Sequence, residues 1–191
     1  MTIAVSAVNN GFAPARPYQY DMCRTFTVTL STNQQLGIND PVALANGTVV
    51  PATAGNNPDL PGFGAVVGLL DANGRPLTFS QPTKGPYLTS GATGQAIVLS
   101  DPNMTFLANY SGSAGNDVVG DLVEVTGMSI PVSGTGISQA GICAQSSAST
   151  TLLFRAQSLA GNPVGNAKGV GRYMEVSWNR HVNRAGLAGA V

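Results

Sequence analysis

The stretch Arg172-Tyr-Met-Glu-Val-Ser-Trp-Asn179 decides the fold class, because its side chains change character at every step. Met174, Val176 and Trp178 fall on one side of an extended chain, and the more polar side chains fall on the other. A repeat of two is the period of a β-strand with one buried face. The stretch therefore predicts a half-buried strand close to the end of the chain.

The same signal recurs along the rest of the sequence. Thr25–Leu30 alternates threonines with apolar residues, and Phe63–Leu70 is an apolar run typical of a central strand. The Asn73-Gly74 pair that follows favours a hairpin turn. Further strands are predicted at residues 47–50, 75–80, 95–100, 104–110, 122–130 and 150–157.

Helix signals are weak, since glycine or proline interrupts most candidates and no long window has an apolar period of 3.6 residues. We therefore predict an all-β fold, a β-sandwich or barrel (jelly-roll-like) with an extended N-terminal arm. The expected organisation is an arm at residues 1–22, a single β domain at residues 23–183 and a flexible tail at residues 184–191. Residues 36–62 are expected to be a long loop around one short strand. We find no convincing internal repeat.

The N-terminal arm combines two features that seldom occur together in a linker. Pro14 and Pro17 remove backbone donors, so the segment is a poor central strand. It nevertheless carries more apolar side chain than a solvated linker would hold. We expect the arm to act as a clasp on a partner surface, with an arm folded back on its own domain as the alternative. The candidate interface residues are Ile3, Val5, Val8, Phe12, Tyr18 and Tyr20.

Charge composition excludes several function classes. Nine basic and nine acidic residues give a net charge of zero, and charged residues make up 9% of the 191 residues. Nucleic-acid binding needs clustered basic side chains, and no two lysines or arginines are adjacent here.

No apolar stretch approaches the ~20 residues that cross a bilayer. The first ten residues do not resemble a signal peptide, so we expect synthesis and use on the cytosolic side, or release by lysis.

Residues that could carry chemistry are few. His181 is the single histidine, and we interpret it as a surface or interface residue after the last strand. Asp117, Asp121 and Glu124 form the one acidic cluster. A calcium site built on these acids is conceivable, but we favour simple loop acids beside a strand.

The remaining candidates also have simpler interpretations. Cys23 and Cys143 lie far apart in the chain and form no CxxC motif, so we expect two buried thiols rather than a disulfide. Gly161–Gly171 lacks the ordered Gly-Lys-Ser/Thr of a phosphate-binding loop, so we expect a flexible loop. We predict a non-enzyme without a cofactor or required metal.

A set of short motifs that follow one another in a particular order is more informative than any of these signals alone. It consists of Gly68–Asp71, Gly74–Phe79, Val98–Phe106, Gly120-Asp121, Gly136–Ser138, Asn162-Pro163, Asn166 and Tyr173–His181. This order resembles the decoration, or cement, proteins on the capsids of tailed bacteriophages. The resemblance covers roughly residues 62–183, and its motifs are turns and strand ends.

The resemblance implies a structural virion protein on the outer capsid surface, made in the host cytoplasm. Such proteins are all-β, often homotrimeric, and bridge subunits of the major capsid protein at threefold positions, which stabilises the capsid lattice. It implies no catalytic residues and no nucleic-acid or membrane partner. Two alternatives stay open: another phage head or tail subunit, and a carbohydrate-binding adhesin module. In the adhesin, exposed aromatic residues such as Tyr87, Tyr110 or Trp178 would stack on sugars.

Overall fold

The computed structural model describes residues 11–52, 62–77, 86–110, 119–126, 136–144, 154–159, 172–179 and 181. Within these ranges the chain forms strands and one 3-10 turn at Tyr20–Met22, which confirms the all-β prediction. No helix in these ranges is long and apolar enough to cross a membrane. The strands are β1 (Ala13–Pro14), β2 (Cys23–Thr29), β3 (Leu36–Gly37), β4 (Pro41–Ala45), β5 (Thr48–Pro51), β6 (Gly62–Leu70), β7 (Tyr87–Leu88), β8 (Thr93–Leu99), β9 (Thr105–Tyr110), β10 (Leu122–Thr126), β11 (Gly141–Ala144), β12 (Phe154–Leu159) and β13 (Arg172–Trp178).

Ten of these strands form two closed five-stranded barrels that follow one another along the chain. The N-terminal barrel has the strand order β2-β5-β4-β6-β8 and closes where β8 meets β2. The C-terminal barrel has the order β9-β11-β10-β12-β13 and closes where β13 meets β9. Strand β1 adds to the edge of β9, and β3 pairs with β7 in a small separate sheet.

The two barrels share one topology and one register. In each, the first strand runs parallel to the third and meets it at a single described pair, Val28–Val49 in one barrel and Tyr110–Ile142 in the other. All other neighbours are antiparallel. Counting along the ladders from these two pairs, every described pair of the C-terminal barrel except Phe154–Trp178 has its counterpart in the N-terminal barrel.

Irregular features coincide as well. The fourth strand has a register shift against the fifth in both barrels, between Val66 and Gly68 and between Ala156 and Ser158. The turn before the second strand begins with a positive φ in both, 67° at Asn39 and 92° at Gly120. The fold is therefore an internal duplication, and the expectation of no internal repeat is wrong at the level of structure.

The duplication is hidden in the sequence because equivalent inward positions hold side chains of different size. The ladders make Gly64 equivalent to Phe154, and Ala96 equivalent to Met174. A barrel interior needs a filled volume and an apolar surface, which many combinations of side chains supply. Shared topology can thus persist without a shared pattern of residues.

The two barrels have different cores that meet at a seam. The N-terminal core is mostly aliphatic, whereas the C-terminal core contains stacked aromatic rings, with Phe154 and Trp178 at 4.3 Å between centroids. Ala65 and Leu99 belong to strands of the N-terminal barrel but pack in the C-terminal core. The interface between the barrels is therefore continuous with the hydrophobic core.

The expected long loop at residues 36–62 is wrong in part. It contains β3, β4 and β5, and β4 and β5 form a hairpin around Asn46 and Gly47. Both turn residues have positive φ, 49° and 77°, as a two-residue hairpin turn requires. After the Asn73-Gly74 turn, the described part of the predicted strand at 75–80 forms only a Leu70–Pro76 bridge. The predicted tail at 184–191 lies outside the described residues.

We expect Gly64→Ala to destabilise the protein by about 3 kcal/mol or more. A Cβ atom at this position would meet the Leu99 carbonyl group and the Val98 side chain. The carbonyl group belongs to the backbone of β8, so it cannot turn aside as a flexible side chain would. Gly74→Ala is the control, because nothing lies within 4 Å and the new residue faces only the cost of its φ of 77°, roughly 1–2 kcal/mol. Urea unfolding measures both, and equal losses would contradict the steric argument.

Candidate functional site

His181 is buried at 1% relative exposure, so its interpretation as a surface residue is wrong. Its Nε2 atom lies 2.8 Å from the Phe63 carbonyl oxygen, and its ring lies 5.3 Å from that of Trp178. The chain bridges back to Gly62 at this point. The histidine thus ties the end of β13 to the start of β6 across the seam.

The acidic cluster does not assemble a metal site among the described residues. Asp121 is exposed in the turn just before β10, Asp117 lies outside the described residues, and nothing is described of the Glu124 side chain. Within the described ranges, no three His, Cys, Asp or Glu side chains come together in a way that could hold a metal ion. The calcium interpretation therefore gains no support from the geometry.

Cys23 and Cys143 are free thiols, and both are half-buried rather than fully buried. Burial, with a smaller contribution from the nearby Asp21 carboxylate, raises the pKa of the Cys23 thiol. A raised pKa keeps this group in its less nucleophilic thiol form. The predicted loop at Gly161–Gly171 lies outside the described residues.

The aromatic residues considered for sugar stacking are mostly inaccessible. Tyr110 and Trp178 are each 1% exposed inside the C-terminal barrel, and Tyr87 is half-buried on β7. Stacking on a sugar ring needs an exposed aromatic face. Two of the three candidates are thus excluded as a binding platform in this structure.

The described part of the arm reaches the protein's own core. Phe12 is fully buried, and its ring stacks on Phe154 at 4.5 Å. Its N–H donates to the Asn39 carbonyl oxygen at 2.8 Å. Pro14 is accommodated because β1 lies at an edge, where a missing donor costs little. For Phe12, the prediction of a clasp residue is therefore wrong, and the alternative of an arm folded back on its own domain applies.

Tyr18 is the one candidate arm residue that the structure shows to be exposed, at 40%. Ile3, Val5 and Val8 lie outside the described residues, and nothing is described of the Tyr20 side chain. Tyr18 and these four residues stay candidates for the interface.

Asp40 is a buried carboxyl group that forms hydrogen bonds within the protein. Its carboxylate is 2% exposed and accepts a hydrogen bond from the Gly37 N–H at 2.6 Å and another from the Ser138 hydroxyl group. The Ser138 oxygen also accepts the Ala140 N–H at 2.9 Å. The equivalent residue of the other barrel, Asp121, is exposed. The buried carboxyl group is therefore specific to the seam.

Backbone hydrogen bonds reinforce this contact. The Ile38 N–H donates to the Gly136 carbonyl oxygen at 3.0 Å, and the Ser138 N–H donates to that of Ile38 at 2.8 Å. Asp40 thereby joins the turn before β4 to the connection between β10 and β11. Gly136–Ser138 is one of the motifs of the resemblance, but no feature of the sequence indicates that Asp40 is buried beside it.

Burial raises the pKa of Asp40 to about 7, although the hydrogen bonds from Ser138 and Gly37 favour the charged form and lower it. A carboxyl group with such a pKa changes charge near neutral pH. Because the group is buried within the seam, we interpret it as structural.

Comparison of the chain with protein-family models and with curated proteins finds no match.

We expect the stability of the wild-type protein to fall relative to Asp40→Asn as the pH rises from about 4 to about 7. The folded chain keeps a proton on Asp40 that the unfolded chain releases near pH 4, so stability from this group is greatest below that pH. The full difference is roughly 4 kcal/mol. Urea unfolding across this range measures it. Asp121→Asn is the matched control, and parallel curves for wild type and Asp40→Asn would contradict the prediction.

We expect Phe12→Ala to lower the free energy of unfolding of the protein itself by about 3–5 kcal/mol, since it removes a fully buried ring. Tyr18→Ala, on the exposed part of the same arm, should change it by about 0.5 kcal/mol or less. Thermal or urea unfolding of the isolated protein measures both. A small effect of Phe12→Ala would show that the arm is not part of the core.

Proposed function

We propose that the protein is a decoration, or cement, protein that binds the outer surface of a tailed-phage capsid and stabilises the lattice of the major capsid protein. The observation that supports this is where the residues of the resemblance lie. Gly136–Ser138 forms part of the seam, and Val98–Phe106 runs from the last strand of one barrel into the first of the next. Tyr173–His181 covers β13 from its second residue onwards and ends at the histidine that contacts Phe63. Three of the eight motifs of the resemblance therefore include residues that join the two barrels.

The surface chemistry is compatible with this role. Nine positive and nine negative groups on 191 residues leave little self-repulsion when many copies pack closely. Exposed threonines on β2, at residues 25, 27 and 29, add neutral surface that can pair with another protein. A protein of this type would act by adhesion and would need no catalytic group. We further propose that it is a homotrimer, as the resemblance implies.

Of the alternatives, a different phage head or tail subunit would need the same kind of adhesive surface. Only the particle that the protein binds distinguishes this alternative from the proposal. The adhesin alternative is less favoured, because Tyr110 and Trp178 are buried.

The test is binding to purified capsids and, separately, to purified tails of the same phage, both stripped of their outer proteins. We expect the protein to sediment with capsids, to saturate at a fixed ratio to the major capsid protein, and to raise the temperature at which the capsids open. Density at threefold positions in electron micrographs would identify the binding site.

Tails and capsids of an unrelated phage serve as controls. Binding to tails alone would favour the other structural subunit. Binding to glycans with no binding to either particle would favour the adhesin.

A further inference from the structure

Among the described residues, one difference between the two barrels concerns the outer edge of the first strand, which is paired with a further strand in one barrel and not in the other. In the C-terminal barrel, β1 pairs with the first strand through Ala13–Leu107 and Pro14–Phe106, and the Ala15 N–H donates to the Thr105 carbonyl oxygen at 2.9 Å. The equivalent residues of the N-terminal barrel are Cys23–Thr25 of β2. No described strand pairs with β2 there, since β5 meets it only at Val28.

The free side of β2 offers backbone hydrogen-bonding groups. The Ser100 N–H donates to the Met22 carbonyl oxygen at 3.2 Å, and the Leu30 N–H donates to that of Ala92 at 3.0 Å. Backbone groups alternate in direction along an antiparallel strand. The even-numbered residues of β2 therefore face β8. Cys23 and Thr25 direct their N–H and C=O groups to the opposite edge, as Thr27 does its N–H, whereas the Thr27 carbonyl group faces β5 at the Val28–Val49 pair.

This edge is also accessible, and Arg24 is the one charged residue on it. Arg24, Thr25 and Thr27 are exposed. Natural edge strands are usually blocked by proline, lysine, a bulge or a covering segment. The β2–β8 ladder runs through Cys23–Thr29 without a register shift, and the strand contains neither proline nor lysine. The edge is thus suited to the addition of another strand.

We propose that the free edge of β2 at residues 23–27 binds Thr2–Val8 of a second copy of the chain as an added antiparallel strand. The internal duplication supports this, because an extended N-terminal segment already fills the equivalent edge of β9. Thr2-Ile-Ala-Val-Ser-Ala-Val8 has no proline, glycine or charge and places Ile3 and Val5 on one side of an extended chain.

The position of the segment favours a second copy as the partner. Phe12 is buried in the C-terminal barrel of its own chain, which fixes the point from which the preceding residues depart. Ten residues precede Gly11, and an extended segment of that length spans roughly 33 Å, enough to reach a neighbouring molecule. The edge itself is exposed in the single chain. This proposal does not depend on capsid binding, since self-association is measured without particles.

The experiment uses two complementary variants of the full chain. Thr25→Pro removes an N–H at the free edge but no donor to β8, while deletion of residues 2–8 removes the added strand. Thr25→Val is the matched control, because it changes the side chain and leaves the backbone donor in place. Circular dichroism checks that each variant keeps its β spectrum.

In sedimentation experiments we expect wild type and Thr25→Val to self-associate. Each of the other two variants should self-associate at least about tenfold more weakly, because strand pairing is lost. An equal mixture of Thr25→Pro and the deletion variant should restore association but stop at a pair, since one supplies only the segment and the other only the edge.

Amide hydrogen exchange provides a second readout, which does not require Thr25→Pro to fold. The Thr25 amide should exchange slowly in the associated wild type and quickly in the deletion variant, while the Phe26 amide, which faces β8, stays slow in both. Unchanged self-association of either variant would overturn the proposal. So would a strictly monomeric wild type, whether its Thr25 amide exchanges quickly or is protected by its own residues 2–8.

Discussion

A five-stranded sheet closes into a barrel only when its first and last strands meet at a fixed register, and every ladder between them must then keep its own register. Apart from Phe154–Trp178, every described pair of the C-terminal barrel has an equivalent pair in the N-terminal barrel. Both barrels also place a bulge at the same point of the fourth strand. Once these registers are fixed, the positions that point inward are fixed too, and most other features of the fold follow from them.

The closure constraint applies to the backbone and leaves considerable freedom to the side chains. One interior is filled mainly by valine and leucine, and the other by a cluster that includes Phe106, Phe154 and Trp178. The aromatic interior also accepts Phe12 from outside the barrel. In the aliphatic barrel the position equivalent to Phe154 is Gly64, where any side chain would meet the Leu99 carbonyl group. Two barrels with the same backbone arrangement thus differ in which residues pack at their ends and edges.

These differences place the residues of functional interest. The turn before the second strand has the same backbone form in both barrels, yet Asp40 is buried and Asp121 is exposed, because only the first turn is covered by Gly136–Ser138. The outer edge of the first strand is paired by β1 in one barrel and exposed in the other. A repeated scaffold therefore supplies one contact that holds the two barrels together and one surface that is open to a neighbour.

The sequence alone determined the fold class and most strand positions, because alternation at a period of two depends only on which residues follow one another. It predicted Thr25–Leu30, Phe63–Leu70 and the alternating strand at 172–179, and the observed strands differ from these by one or two residues at their ends. It missed β4 and β11, since Pro41–Ala45 and Gly141–Ala144 are short and rich in small residues.

Tertiary structure alone decided what surrounds each polar or aromatic side chain. Nothing adjacent to Asp40, His181 or Phe12 in the sequence indicates burial, because the groups that enclose them come from distant segments: Ser138 for Asp40, Phe63 for His181 and Phe154 for Phe12. The duplication was invisible for the same reason. A register is a relation between strands, and the sequence of each strand records only its own buried face.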